Sequence, residues 1–280
     1  MARRKLLLCF DAFGTLFAPK SPVPEQYAHV ARQFGLDVSP SQIETAFKTA
    51  YKSHSKAHPN YGKASGMGAE NWWTNVIKDT FTPLTTSPLP PLLAPKLLHR
   101  FSSAEGYAIL SPSLPSLLQN LKSHPSFTQV LIGVVTNSDD RVPDVLSSLG
   151  FCVSPLRYGG DPAVEMGMDM DVTGEYDIDF HCMSYNVGYA KPNKRIFDAA
   201  EEMAGRIGGD DGCWLKVFVG DEMVNDVEGS TNAGWNAVFV GEVEEGKGLR
   251  DLEDVERFEV GGTERARVGR VEGLLAWLVR

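Results

Sequence analysis

Lys5-Leu6-Leu7-Leu8-Cys9-Phe10-Asp11-Ala12-Phe13-Gly14-Thr15-Leu16 carries five consecutive apolar residues and then stops at an acid. A run of that length without polar alternation predicts a strand buried on both faces, as in a parallel α/β sheet. Two later runs read the same way, 129–135 ending at Thr136 and 214–219 followed by Gly220-Asp221, and 236–240 reads as a last core strand. In an open parallel sheet ligands gather at the carboxyl ends of the strands. Asp11, Thr136 and Asp221, far apart in sequence, are therefore expected at one crevice. Each of them taken alone also suits a helix N-cap or turn.

Helical periodicity fills the intervals. The stretches 24–35, 41–56, 68–81 and 91–101 predict four helices in succession without an intervening strand, the second capped by Ser39 with Pro40 at its first position. The α/β pattern resumes with helices at 115–122, 143–149, 192–204 and 224–233. The expected architecture is a Rossmann-like, doubly wound parallel sheet formed by residues 1–17 and 106–280, with an all-helical cap inserted at 18–105. The acidic stretch 158–177 reads as an exposed excursion, and 161–179 reads as solvated loop without the Gly and spacing of a calcium loop. Residues 242–267 read as a charged loop and 268–279 as a closing helix.

Composition narrows the function classes. The 280 residues are 42% hydrophobic and 22% charged, which is enough apolar material for a packed core. No apolar run nears the ~20 residues of a membrane span. Residues 6–10 are too short for a signal-peptide core, so a cytoplasmic protein is expected. Cys9, Cys152, Cys182 and Cys213 lack metal or redox spacing and read as reduced, mostly buried thiols. Residues 1–100 hold 12 basic and 6 acidic side chains, residues 101–280 hold 15 and 30, and the net charge is −9. No Lys/Arg cluster interleaves with aromatics, so neither nucleic acid nor a membrane is an expected partner. His54, His58 and His99 match no metal motif. Asp139 and Asp140 are expected to open a helix, and Arg141 close behind is expected to face solvent, the alternative being contact with a substrate anion.

Phe10-Asp11-Ala12-Phe13-Gly14-Thr15-Leu16, Thr136-Asn137-Ser138, Ala190-Lys191-Pro192 and Val219-Gly220-Asp221 with Asn225-Asp226 resemble, in order, the four motifs of the haloacid dehalogenase superfamily. His58-Pro59-Asn60-Tyr61-Gly62 and Asn71-Trp72-Trp73 are similar to one eukaryotic branch, the haloacid dehalogenase-like hydrolase domain-containing protein 3 group. The tryptophans read more simply as cap core. The resemblance implies Asp11 as the nucleophile of an aspartyl intermediate, Thr136 and Asn137 as donors to the transferring group, and Lys191 as a charge-neutralising cation. It implies Mg²⁺ held by Asp11, the Phe13 carbonyl and Asp221, with Asp226 as a further carboxylate of the metal site, Asn225 beside it, and a small anionic substrate.

One position departs from the phosphatase pattern. The second Asp, two residues after the nucleophile, is Phe13 here. That carboxyl protonates a leaving alcohol and is worth roughly 10²–10⁴-fold. Three activities therefore stay open: a weak Mg²⁺-dependent phosphohydrolase acting on phosphate esters or acyl phosphates, a 2-haloacid dehalogenase, and a degenerate binding module. The aromatic residue favours the second and the third, and Gly220-Asp221 with Asp226 favours the first.

Overall fold

The computed structural model describes residues 4–160, 176–209, 214–241, 255–260, 263–268 and 278. The chain forms two compact units, one of residues 1–18, 109–138 and 150–280, the other of 19–108 and 139–149. The segment 139–149, expected with the α/β sheet, groups instead with the inserted helices.

In the first unit, strands β1 (Arg4–Phe10), β4 (Phe127–Thr136), β5 (Phe180–Met183), β6 (Trp214–Gly220) and β7 (Asn236–Val240) pair in parallel, in the order β5-β4-β1-β6-β7. β1 lies at the centre, hydrogen-bonded to β4 on one side and β6 on the other. Side chains alternate across a strand. Leu7 and Cys9 therefore join Leu131, Val135, Phe180 and Phe218 on one face, where helix α8 (Lys194–Gly208) covers them with Ile196, Phe197, Ala200 and Met203. Leu6, Leu8 and Phe10 point to the other face and are equally buried. That double burial is why β1 carries no polar residue between Lys5 and Asp11.

Helix α5 (Leu114–Lys122) packs on β4, and α6 (Val142–Ser148) begins after the chain leaves that strand. A short helix α7 (Ser184–Val187) follows β5. After β6 comes a π-helical turn, Met223–Glu228, that runs into α9 (Gly229–Asn232). The expected single helix at 224–233 is thus split, and π-turns of this kind concentrate at functional sites.

The structure departs from the sequence reading at three places in this unit. β5 was not anticipated, because four residues are too few to show a period. Within the expected loop at 242–267, residues 255–260 and 263–268 form an antiparallel pair, β8 (Val255–Val260) and β9 (Thr263–Val268), and β9 continues the sheet beside β7. Val255-Glu256-Arg257-Phe258-Glu259-Val260 interleaves charged with apolar residues, and its charge density conceals a strand at the sheet margin. Val268 ends β9, and the rest of the expected closing helix lies outside the described residues except for Leu278.

The acidic excursion is only partly solvated. Residues 161–175 lie outside the described residues, but Asp177 and Asp179 are buried. Asp177 accepts hydrogen bonds from Gln119 Nε2 (2.5 Å) and the Cys152 amide (2.7 Å). Asp179 accepts from Lys122 Nζ (2.5 Å) and the Ile132 amide (2.8 Å). Burial raises the pKa of Asp179, and Lys122 opposes the rise. Two aspartates thereby pin the return of the chain onto α5 and β4. Cys152, expected buried, is exposed.

The second unit contains α1 (Val23–Gln33), α2 (Pro40–Ala57), α3 (Ala69–Phe81) and α4 (Leu93–Arg100). Ser39 makes a full capping box with Gln42 at the head of α2. Trp72, Ala50 and Val76 are buried together, with Trp73, Tyr61 and Phe47 packed against them. Short strands β2 (Phe17–Pro19) and β3 (Tyr107–Ile109) pair where the chain passes from one unit to the other and back.

Arg141 does not face solvent. Its guanidinium lies over the Trp73 ring at 4.4 Å, and its Nε donates to Asp139 at 3.0 Å. Asp139, 1% exposed, also accepts from Trp73 Nε1 at 2.6 Å. Asp139 does not cap α6, whose N-cap is Arg141 without a side-chain bond; it accepts from the Arg141 amide in the turn before the helix and ties that turn to α3.

Candidate active site

The first unit brings the ends of β1, β4 and β6 side by side. Strand β1 runs out at Phe10, and the Asp11 amide adds one more rung to the ladder by donating to the Val219 carbonyl at 2.8 Å. This fixes Asp11 beside Asp221, the residue that follows β6. Asp226 reaches the same place from the π-turn. One oxygen from each of Asp11, Asp221 and Asp226 lies within 4.8 Å of the others, and this is the one such acidic cluster among the described residues.

Two glycines make room for it. A Cβ at Gly14, whose φ is +81°, would sit 2.1 Å from Asp221 Oδ2, and a Cβ at Gly220 would sit 2.2 Å from Asp226 Oδ2. Any other residue at either position would displace a carboxylate.

Lys191 stands at the centre. Its Nζ donates to Asp11 Oδ1 and to Asp226 Oδ1, each at 2.6 Å, and lies 5.0 Å from the Phe218 ring centroid. Asn137 grips the backbone of Lys191 at both ends: Nδ2 donates to the Lys191 carbonyl (3.0 Å), and Oδ1 accepts from the Lys191 amide (2.6 Å). Asp226 has both oxygens engaged, the second by the Glu222 amide at 2.9 Å. Thr15 Oγ1 donates to Asp221 Oδ1 at 3.0 Å.

Electrostatics follow from burial and charge. Burial alone would lower the pKa of Lys191, but Asp11 and Asp226 outweigh it and raise it, so the ammonium stays charged. Burial pushes Asp226 up to about 6, against the pull of Lys191 and with the push of Asp11. Burial also raises Asp221, which Thr15 partly offsets and Asp11 reinforces. Three carboxylates share one ammonium, so the ionised group carries a surplus of negative charge. Oxygen donors with that surplus suit a hard divalent cation such as Mg²⁺. Asp11 and Asp221 would each have one unbonded oxygen to offer such an ion, whereas both Asp226 oxygens are already bonded, to Lys191 and the Glu222 amide.

The remaining expected residues fall as follows. Thr136 ends β4, is 1% exposed, and among the described residues makes no hydrogen bond to the carboxylates or to Lys191. Asn225 turns away and donates to Glu222. Phe13 packs edge-on against Phe17 at 4.8 Å. Sequence reasoning missed Thr15 and the clamp by the Asn137 side chain. Thr15 lay inside the first motif but had no partner visible at a distance of 206 residues.

The haloacid dehalogenase-like hydrolase family model matches residues 6–234. An uncharacterized hydrolase of Schizosaccharomyces pombe is 32% identical over 237 residues, covering 83% of this chain and 89% of that protein. Haloacid dehalogenase-like hydrolase domain-containing protein 3 of Danio rerio is 32% identical over 229 residues, covering 80% of each. Among solved structures, a HAD-hydrolase of Bacillus subtilis bound to magnesium is similar with a TM-score of 0.56 at 15% identity, covering 99% of this chain and 100% of that one. A defluorinating L-2-haloacid dehalogenase is similar with a TM-score of 0.56 at 15% identity, over 98% and 95%. At that identity the likeness is one of fold. The sequence relatives and the matched motifs go further: this chain belongs to the haloacid dehalogenase-like hydrolase family.

Proposed function

We propose that the chain is a Mg²⁺-dependent phosphohydrolase working through an aspartyl-phosphate on Asp11, effective only where the leaving group departs without a proton. The observation that carries this reading is the Lys191 ammonium bonded to both Asp11 and Asp226, with Asp221 beside them. Lys191 holds Oδ1 of Asp11, so Oδ2 is the oxygen that attacks phosphorus while the bond to the leaving oxygen breaks. Water then attacks phosphorus, releasing phosphate and restoring the carboxylate. The lysine also keeps Asp11 oriented and offsets charge on the phosphoryl oxygens as they approach. Mg²⁺, held by Asp11, Asp221 and the Phe13 carbonyl with Asp226 behind them, would supply Lewis-acid neutralisation of the phosphoryl group. Thr136 and the Asn137 backbone are assigned the remaining phosphoryl oxygens.

Phe13 cannot protonate a leaving alcohol, so acyl and aryl phosphates are the preferred class. The same aromatic residue favours a second reading, halide displacement from a 2-haloacid by Asp11, since a halide leaves without a proton. Three clustered carboxylates weigh against it, because displacement of halide has no need of a divalent cation.

Hydrolysis of p-nitrophenyl phosphate with and without Mg²⁺, by the native chain and by Asp11→Asn, tests the proposal. Mg²⁺-dependent turnover abolished in the variant is expected. Turnover that survives Asp11→Asn, or chloride release from 2-chloropropionate without metal in place of phosphate release, would overturn it.

A further inference from the structure

Lys191 reaches the carboxylates from a segment that is itself largely in solvent. The chain leaves β5 through α7 and passes Gly188, Tyr189 and Ala190, all three exposed, before it arrives at the lysine. A lysine side chain is long, and confining it costs rotamer freedom. Its Nζ nevertheless stands 2.6 Å from both Asp11 Oδ1 and Asp226 Oδ1. Such a reach repeats faithfully only if the backbone it starts from is fixed.

The turn after β4 fixes it. Asn137 Oδ1 accepts from the Lys191 amide at 2.6 Å, and Asn137 Nδ2 donates to the Lys191 carbonyl at 3.0 Å. One side chain thus occupies both backbone hydrogen-bonding groups of the lysine. A carboxamide carries its donor and its acceptor in a single plane, so the two bonds set the orientation of the residue as well as its position. An aspartate there would offer no donor to the carbonyl.

The next residue holds the far end of the same segment. The Ser138 carbonyl accepts from the Tyr185 amide at 3.1 Å and from Ser184 Oγ at 3.2 Å. Residues 137 and 138 therefore clip the connection at both ends, but of these four bonds the two at the lysine come from Asn137. Asn137 is itself exposed, so core packing does not account for an asparagine at this position. All of these residues belong to the first compact unit.

We propose that the Asn137 side chain is a positioning residue for phosphoryl transfer: through the Lys191 backbone it sets the point from which the ammonium reaches Asp11 and Asp226. Its part in turnover rests on the phosphohydrolase reading, whereas its hold on Lys191 does not. The role is also separate from that of the Asn137 backbone, which a truncated side chain leaves in place. A small displacement of a catalytic group is enough to slow a reaction severely.

Reductive methylation of the full chain, read lysine by lysine by mass spectrometry, tests the hold. In the native chain Lys191, its side chain 2% exposed, should label slowly, as should Lys122, 12% exposed and bound to Asp179. Asn137→Ala should raise labelling of Lys191 about tenfold and leave Lys122 protected. Ser184→Ala, which loosens the far end of the segment, should leave both protected. With p-nitrophenyl phosphate and Mg²⁺, Asn137→Ala should lower kcat about tenfold or more and move KM less than about threefold, the mark of a contribution realised in the transition state. Ser184→Ala should turn over at close to the native rate. Unchanged labelling of Lys191 in Asn137→Ala, an equal rise at Lys122, the same effects in Ser184→Ala, or a native kcat in Asn137→Ala would each overturn the proposal. A native chain without phosphatase activity would sink the phosphohydrolase reading, and with it the part in turnover, while the labelling still decides whether Asn137 holds Lys191.

Discussion

Lys191 Nζ and Asp226 Oδ1 stand 2.6 Å apart with side chains only 2% and 1% exposed, so the pair is sealed from water while Asp11 closes its other side. A buried ion pair of this kind is costly to break because the survivor keeps its charge without a partner.

Lys191→Met should therefore lower both catalysis and stability. Loss of the ammonium opposite Asp11 is expected to reduce turnover at least about 10²-fold. Urea unfolding at pH 8 should show the variant destabilised by about 3–5 kcal/mol. Asp226 already titrates at about 6, and without the lysine it will hold its proton to higher pH. The deficit should accordingly shrink as pH falls towards 5, because protonation removes the unpaired charge. A deficit independent of pH would show that packing, not charge, sets the loss.

Phe13→Asp should supply the missing acid. Hydrolysis of an alkyl phosphate such as glycerol phosphate is expected to rise about 10²-fold, and that of p-nitrophenyl phosphate much less, since phenolate needs little protonation. A steady-state comparison of the two substrates measures this. A uniform rise, or none for the alkyl ester, would mean that leaving-group protonation is not limiting.

Asp139 gathers Trp73 Nε1 and Arg141 Nε on one carboxylate within the helical unit. Asp139→Ala should cost about 1–3 kcal/mol by leaving a half-buried donor and a half-buried cation unpaired. Trp73→Phe should cost less, and the double variant less than the two combined, with a coupling of about 1 kcal/mol in a urea-unfolding cycle. Strict additivity would show the contacts to be independent.

His181, on β5, is 5% exposed, and its Nδ1 has no hydrogen-bond partner. Burial, helped by Arg157, lowers its pKa from 6.5 to about 4. The unfolded chain therefore takes up this proton at higher pH than the folded one. The neutral form's contribution is complete above pH 6.5 and is lost as pH falls from there to 4, a change of about 3 kcal/mol. His181→Gln should flatten the acid limb of the stability profile across that window, measured by urea unfolding at half-unit steps. An unaltered slope would locate the acid sensitivity elsewhere.

The central strand, its acid and the four successive helices were legible because each declares itself locally: Leu6 to Phe10 by unbroken apolarity, Ser39-Pro40 by cap chemistry, 41–56 by period. What stayed hidden depends on partners distant in sequence. Asp177 and Asp179 look like solvated loop acids until Gln119, Lys122 and the amides of Ile132 and Cys152 are brought to them. Arg141 reads as a surface cation because Trp73 lies 68 positions away. The candidate site divides in the same way. Asp11, Asp221 and Lys191 follow from motif and strand end, while Thr15's hold on Asp221 and Asn137's grip on the Lys191 backbone arise only from the folded register.

The central place of β1 has a consequence for synthesis. Leu6 to Phe10 leave the ribosome well before their two neighbours in the sheet, which begin at Phe127 and Trp214. At about 5–20 residues per second, some ten seconds or more separate the emergence of β1 from that of its second partner. Throughout that interval the nascent chain carries an apolar segment with both hydrogen-bonding edges open, the kind of surface on which misassembly starts. The helical unit, whose helices are near neighbours in sequence, can meanwhile form from local contacts. Reactivity is therefore the last property this chain acquires: Asp11 waits 180 residues for Lys191 and longer still for Asp221 and Asp226.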